Sequence, residues 1–183
     1  AAFWLVAACA HPNARIRVEG VGVNPTRTGV LDVLEEMGAH IDIESVHEDG
    51  GEPVADIVAE SSDLRSAEIG GDMVATVIDE LPLLALAGCF ATGTTVIRDA
   101  GELRVKESDR ISATVRGLAT LGAKIEERPD GMVIDGVGSL TGGEAGISTP
   151  VWRIDDEADV NNPNIVKVVR AASGEALYFS RSP

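Results

Sequence analysis

An internal repeat constrains this chain more than any other feature. Ala7-Ala8-Cys9-Ala10 and Ala87-Gly88-Cys89-Phe90 each close an apolar helical run, at an offset of 80 residues. A short turn and a strand-like stretch follow each, Ala14–Val18 in one copy and Thr94–Arg98 in the other. Helical patterns then end at Met37-Gly38-Ala39 and at Leu121-Gly122-Ala123, now 84 residues apart, and strands follow at Ile41–Ile43 and Lys124–Glu126. The second copy therefore carries about four extra residues before its second helix ends, in a stretch containing Leu103-Arg104-Val105-Lys106-Glu107-Ser108-Asp109-Arg110. Loops vary where a scaffold does not, so this insertion is where function is expected.

Periodicity assigns the elements. Val30, Leu34 and Met37 form one apolar stripe at helical spacing, and Ile111, Val115 and Leu118 repeat it. Gly38 and Gly122 follow the last periodic residues, where a left-handed cap is wanted. Ala55–Ala59 and Met132–Ile134 read as strands, separated from their neighbours by Glu48-Asp49-Gly50-Gly51 and Pro129-Asp130-Gly131 turns. The run Leu81–Ala91 is apolar all round and is expected inside the fold. The expected class is α/β, with a unit of helix, strand, helix, strand, strand present twice, over about residues 1–70 and 71–140. After Thr141-Gly142-Gly143 the texture changes, and strands are expected at Ile165–Val169 and Glu175–Phe179 around Ser173-Gly174. The division expected is a first domain over 1–143 and a tail over 144–183.

Charge narrows the function classes. The chain has 15 Lys and Arg against 30 Asp and Glu, a formal net charge of −15, which argues against nucleic-acid or anionic-membrane surfaces. The apolar runs Ala1–Ala10 and Leu81–Ala91 are short of the roughly 20 residues that a bilayer needs. The opening run lacks a basic leader, so it reads as the inside of an element in a longer protein and not as a signal peptide. Cys9 and Cys89 sit in apolar helical stretches and read as buried thiols in a reducing compartment. His11, His40 and His47 show no metal-binding spacing, and no glycine-rich nucleotide motif is present through residue 143.

Against this acidic background Arg98, Arg104, Lys106 and Arg110 fall within 13 positions. Such a cluster suits a small polyanion. With a helix starting near Glu107, Lys106, Glu107 and Arg110 would share one face at its N-terminus, where backbone N–H groups favour anions. The same spacing also fits a solvated, salt-bridged turn. Asp79 and Glu80 precede the apolar helix and Pro82. They read as a helix cap or, alternatively, as a general base at the mouth of a buried helix.

The segment Leu103–Arg110 resembles the signature of the 5-enolpyruvylshikimate-3-phosphate synthase (3-phosphoshikimate 1-carboxyvinyltransferase) family. Ile78-Asp79-Glu80-Leu81-Pro82, Gly93-Thr94-Thr95, Leu121-Gly122-Ala123 and the opening helix extend the resemblance to about residues 1–140. It implies domains built from three βαβαββ-like units, of which this chain would hold about two. It also implies transfer of the enolpyruvyl group of phosphoenolpyruvate to the 5-hydroxyl of shikimate 3-phosphate, with release of phosphate and without cofactor or metal. By resemblance, Asp79 is the catalytic base and holds the shikimate ring, and Glu107 exchanges a proton with the enolpyruvyl carbon. Lys106 contacts shikimate 3-phosphate and Arg110 binds phosphoenolpyruvate. The family's partner domain, third unit, D-H-R segment and later lysine fall outside this chain, which implies no turnover by the chain alone. A cytoplasmic, monomeric full-length enzyme of the shikimate pathway is the family expectation. The tail, about 147–183, instead resembles an internal stretch of CMP-KDO synthetase (3-deoxy-manno-octulosonate cytidylyltransferase), through Asn162–Val169 and Ala176–Arg181. A chimera of two pieces is therefore expected. A cytidylyltransferase fragment and a non-catalytic anion-binding α/β module remain as alternative functions.

Overall fold

The computed structural model describes residues 1–106, 108–138, 167–170 and 176–180, the last two stretches by backbone alone. The chain divides into two compact units, Ala1–Thr141 and Gly142–Pro183.

The first unit contains the repeat as a topology. Helix α1 (Ala2–Ala10), strand β1 (Arg15–Gly22), helix α2 (Gly29–Glu36) and strands β2 (His40–Asp49) and β3 (Glu52–Glu60) make the first copy. Its sheet runs β1-β3-β2, antiparallel throughout. Next come β4 (Glu68–Ile69) and the short helix α3 (Met73–Val77). The second copy is α4 (Leu81–Phe90), β5 (Thr94–Ile97), α5 (Arg110–Thr120), β6 (Lys124–Arg128) and β7 (Gly131–Asp135). Its sheet has the order β4-β5-β7-β6, so the β5-β7-β6 part repeats β1-β3-β2, and β4 adds a parallel strand on β5. In the second unit β8 (Lys167–Arg170) pairs antiparallel with β9 (Ala176–Ser180). These strands overlap the two expected from the pattern; the expected Ser173-Gly174 turn lies outside the described residues.

Both amphipathic helices bury the face that their periodicity marks. Val30, Leu34 and Met37 of the first copy are buried, and so are Ile111 and Leu118 of the second, with Val115 packed against them. The helices stop in the same way. Gly38 donates its N–H to Glu35 and Ala39 donates to Leu34; Gly122 donates to Ala119 and Ala123 to Leu118. This is the Schellman closure, and its C′ position needs positive φ: Gly38 has φ +85° and Gly122 has φ +90°. The hairpins turn through Gly50-Gly51 and through Pro129-Asp130, where Asp49 pairs with Glu52 and Arg128 with Gly131.

Helix α4 occupies the middle of the unit, as an all-apolar helix must. It packs against α1, α2, α5, β5 and β7. Leu81, Leu84, Ala85, Ala87 and Cys89 are completely or almost completely buried. Burial also pushes the Cys89 thiol up to about 11 and raises that of Cys9, as the reading of both as buried thiols requires. Helix α1 is just as apolar, yet it leaves Phe3 and Trp4 exposed while Leu5, Val6, Ala8 and Cys9 are buried.

Of the described glycines, Gly136 makes the closest backbone approach, joining the end of β7 to the end of α4. Val137 donates its backbone N–H to the Cys89 carbonyl, and a Cβ at Gly136 would sit 1.6 Å from the Ala91 carbonyl oxygen. No side chain fits there without moving backbone. Substituting Gly136→Ala is therefore expected to destabilise the first unit by about 1–3 kcal/mol, read as a lowered urea midpoint. An unchanged midpoint would refute the close approach.

Candidate functional site

Asp79, Lys106 and Arg110 come together at the N-terminal end of α4. Asp79 stands one residue before the N-cap of the helix, Glu80, whose side chain makes no capping bond. Pro82 stands in the first turn, where its missing N–H costs nothing. The capping reading of this carboxylate pair is thereby corrected: the Asp79 carboxylate faces Arg110, whose Nη1 donates to Oδ1 at 3.0 Å.

Arg110 is the first residue of α5. The helix starts here and not near Glu107, because the Asp109 carboxylate caps it by accepting the Ser112 N–H at 3.0 Å. Lys106 therefore lies before the helix, after a 3₁₀ turn over Gly101–Arg104, and its expected i, i+4 helical relation to Arg110 does not form. Its ammonium instead pairs with Glu102 at 3.0 Å. That hydrogen bond is the main reason its pKa is raised; the charges of Glu102 and Asp79 add to it, while the charge of Arg110 works against it. Lys106, Asp79 and Arg110 thus share one electrostatic neighbourhood. Glu107 lies outside the described residues.

The other two cations of the basic stretch are structural. Arg104 binds the Asp109 and Glu127 carboxylates through Nη1 and the Pro129 and Arg128 carbonyls through Nε and Nη2, at 2.5 to 2.9 Å. It ties the loop to the β6–β7 hairpin. Arg98 pairs with Glu68 and Asp99. The four-residue cluster of the sequence thus divides into two braces and two cations at the site.

Beside the Asp79–Arg110 pair opens a cleft of about 690 Å³. Its polar walls are Arg27, Thr28, Asp79, Glu80 and Arg110, and its apolar floor includes Leu31, Ile57 and Leu83. Glu102 and Arg27 were not singled out by motif. The i, i+4 spacing to Lys106 could have found the first, and the repeat could have found the second. Among the described residues, no three His, Cys, Asp or Glu side chains are grouped to hold a metal ion. No described helix is long and apolar enough to cross a membrane.

Carboxylate and cation groups thus meet at one helix end of a repeated α/β scaffold, and similarity to known proteins identifies that scaffold. Residues 1–149 match the family model of EPSP synthase (3-phosphoshikimate 1-carboxyvinyltransferase). The chain is 56% identical over 142 residues to the 3-phosphoshikimate 1-carboxyvinyltransferase of Gloeobacter violaceus, covering 78% of this chain and 33% of that protein. It superposes on the EPSP synthase of Acinetobacter baumannii with a TM-score of 0.72 at 43% identity, over 76% of this chain and 32% of that one. The enolpyruvyl transferase NikO of Streptomyces tendae shares the fold at a TM-score of 0.53 and 22% identity, over 74% of this chain and 29% of that one. The chain belongs to the EPSP synthase family and spans about a third of the length of these curated relatives.

Asp109 connects stability to the site, since it both caps α5 and pairs with Arg104. Its carboxyl is held below the usual range, first by the Ser112 N–H and then by Arg104. A depressed folded-state value gives stability above the ordinary carboxylate range, lost as pH falls through the folded value. Asp109→Ala is expected to lower the thermal midpoint by several degrees at pH 7. The gap to the unsubstituted chain should shrink on acidification below pH 4 or so; a gap independent of pH would refute the assignment.

Proposed function

We propose that this chain is the part of an EPSP synthase that carries its acid–base carboxylates, and that the complete protein transfers the enolpyruvyl group of phosphoenolpyruvate to the 5-hydroxyl of shikimate 3-phosphate. The observation that supports this most is the Asp79–Arg110 pair, which opens onto a cleft and shares its electrostatic neighbourhood with Lys106. In the free state both cations hold carboxylates of the protein, Arg110 that of Asp79 and Lys106 that of Glu102. These are exposed, weakly held pairs, and oxyanions of a substrate can replace them at small cost. Arg110 would take phosphoenolpyruvate and Lys106 would take shikimate 3-phosphate. Released from Arg110, Asp79 would accept the proton of the attacking 5-hydroxyl. Glu107 would deliver a proton to the methylene carbon and recover one as phosphate departs. Cations around the reacting centre would stabilise the charge on phosphoryl and carboxylate groups. The reading places the full protein in the cytoplasm, as a monomer. For the residues after 149, outside the family match, the resemblance to CMP-KDO synthetase is a proposal about ancestry and brings no active-site role.

The decisive experiment grafts residues 1–141 of this chain into the Gloeobacter violaceus relative in place of its matching segment. The graft should release phosphate from phosphoenolpyruvate only when shikimate 3-phosphate is present. Asp79→Ala and Glu107→Gln should each reduce that rate by 10²-fold or more. A folded graft without turnover, or one indifferent to both substitutions, would overturn the proposal.

A further inference from the structure

The cleft holds a cation that the proposed chemistry leaves unused. Arg27 lines it together with Asp79 and Arg110. Three described arginines, Arg27, Arg65 and Arg116, make no side-chain hydrogen bond or ion pair among the described residues, and of these only Arg27 lines the cleft. In a chain of net charge −15, with the Glu80 carboxylate on the same cleft, an arginine left unpaired is available to an anion from outside.

Its backbone is fixed. Asn24 accepts the Thr26 N–H and hydroxyl through its side-chain oxygen at 3.0 and 2.9 Å, and its carbonyl accepts the Arg27 N–H at 2.8 Å. A turn so closed presents its side chain with little backbone entropy left to lose. The repeat points to the same place. The loop between β1 and α2 is the first copy's counterpart of the loop between β5 and α5, which carries Lys106 and Arg110. The 84-residue offset that aligns Gly38 with Gly122 brings Arg110 onto Thr26, one residue from Arg27. Each copy therefore places one arginine beside the start of its second helix, and both line the same cleft.

We infer that Arg27 is a further anion-binding residue of this site, its guanidinium taking a carboxylate or phosphate oxygen of the shikimate 3-phosphate that Asp79 would hold. The inference rests on the functional reading above, and the two fail separately. The test titrates the 183-residue chain with shikimate 3-phosphate, shikimate and inorganic phosphate, following amide NMR shifts of Thr28 and Arg110. Arg27→Ala should weaken shikimate 3-phosphate about tenfold, and Arg27→Lys should recover part of the loss, because an ammonium keeps the charge without the planar fork. A parallel loss with shikimate assigns the carboxylate, and one with inorganic phosphate assigns the phosphate; either supports the inference. Unchanged affinity in Arg27→Ala, alongside loss in Asp79→Ala, overturns the role of Arg27 and leaves the functional reading standing. No binding of shikimate 3-phosphate by the unsubstituted chain overturns the inference, while the graft experiment decides the functional reading independently.

Discussion

Burial of α4 is the constraint on which the rest of the first unit depends. A ten-residue helix with no polar face has no stable place except between other elements, and it is surrounded by three helices and two strands. Leu81 and Leu84 are wholly out of contact with water, each a gain of about 1.5–3 kcal/mol over exposure. The two copies of the repeat share this one pivot: the first meets it through α1 and α2, the second through α5, β5 and β7. Carboxylates flank it at its start, Asp79 and Glu80, and the Val137 N–H ties its end through the Cys89 carbonyl. The helix that organises the core thus also fixes where a carboxylate meets solvent.

The site is built from the opposite kind of interaction. Its ion pairs are solvent-exposed and weak, and they are exchangeable for that reason. A rigid frame lies directly behind them: Arg104 is held by two carboxylates and two carbonyls, and Asp109 closes the first turn of α5. Strength sits one step away from the cations at the cleft and weakness at them. A site for charged ligands needs that distribution, because groups that must change partners cannot also hold the fold together.

Much of this was legible in the residues, for physical reasons. Val30, Leu34 and Met37, with Ile111, Val115 and Leu118, announce their helices because one face must be buried. Gly38 and Gly122 announce the ends because few other residues accept the left-handed conformation. Asp79, Lys106 and Arg110 were identifiable from motif, and the structure brings them together. The start of α5 was not legible: Lys106, Glu107 and Arg110 fit a helix face by spacing, and only the side-chain oxygen of Asp109 decides that the helix begins three residues later. Nor was the division of the basic cluster. Arg98 and Arg104 look like Lys106 and Arg110 in one dimension; the strand partners Glu68 and Glu127, distant in sequence, separate them.

The β6–β7 hairpin has a consequence beyond its own sheet. Its turn touches the loop that leads to the site at several points. Pro129 and Arg128 offer carbonyls to Arg104, the Asp130 carboxylate accepts the Asp99 N–H, and the Asp130 carbonyl accepts the Ala100 N–H. The β2–β3 turn through Gly50-Gly51 occupies the same topological position in the other copy, and the space around both glycines is open. Two hairpins of common design have therefore acquired unequal freedom to change. One can lengthen into solvent without disturbing anything, while the other has become a template against which the chemistry-bearing loop is moulded, and its length is locked to that of its neighbour.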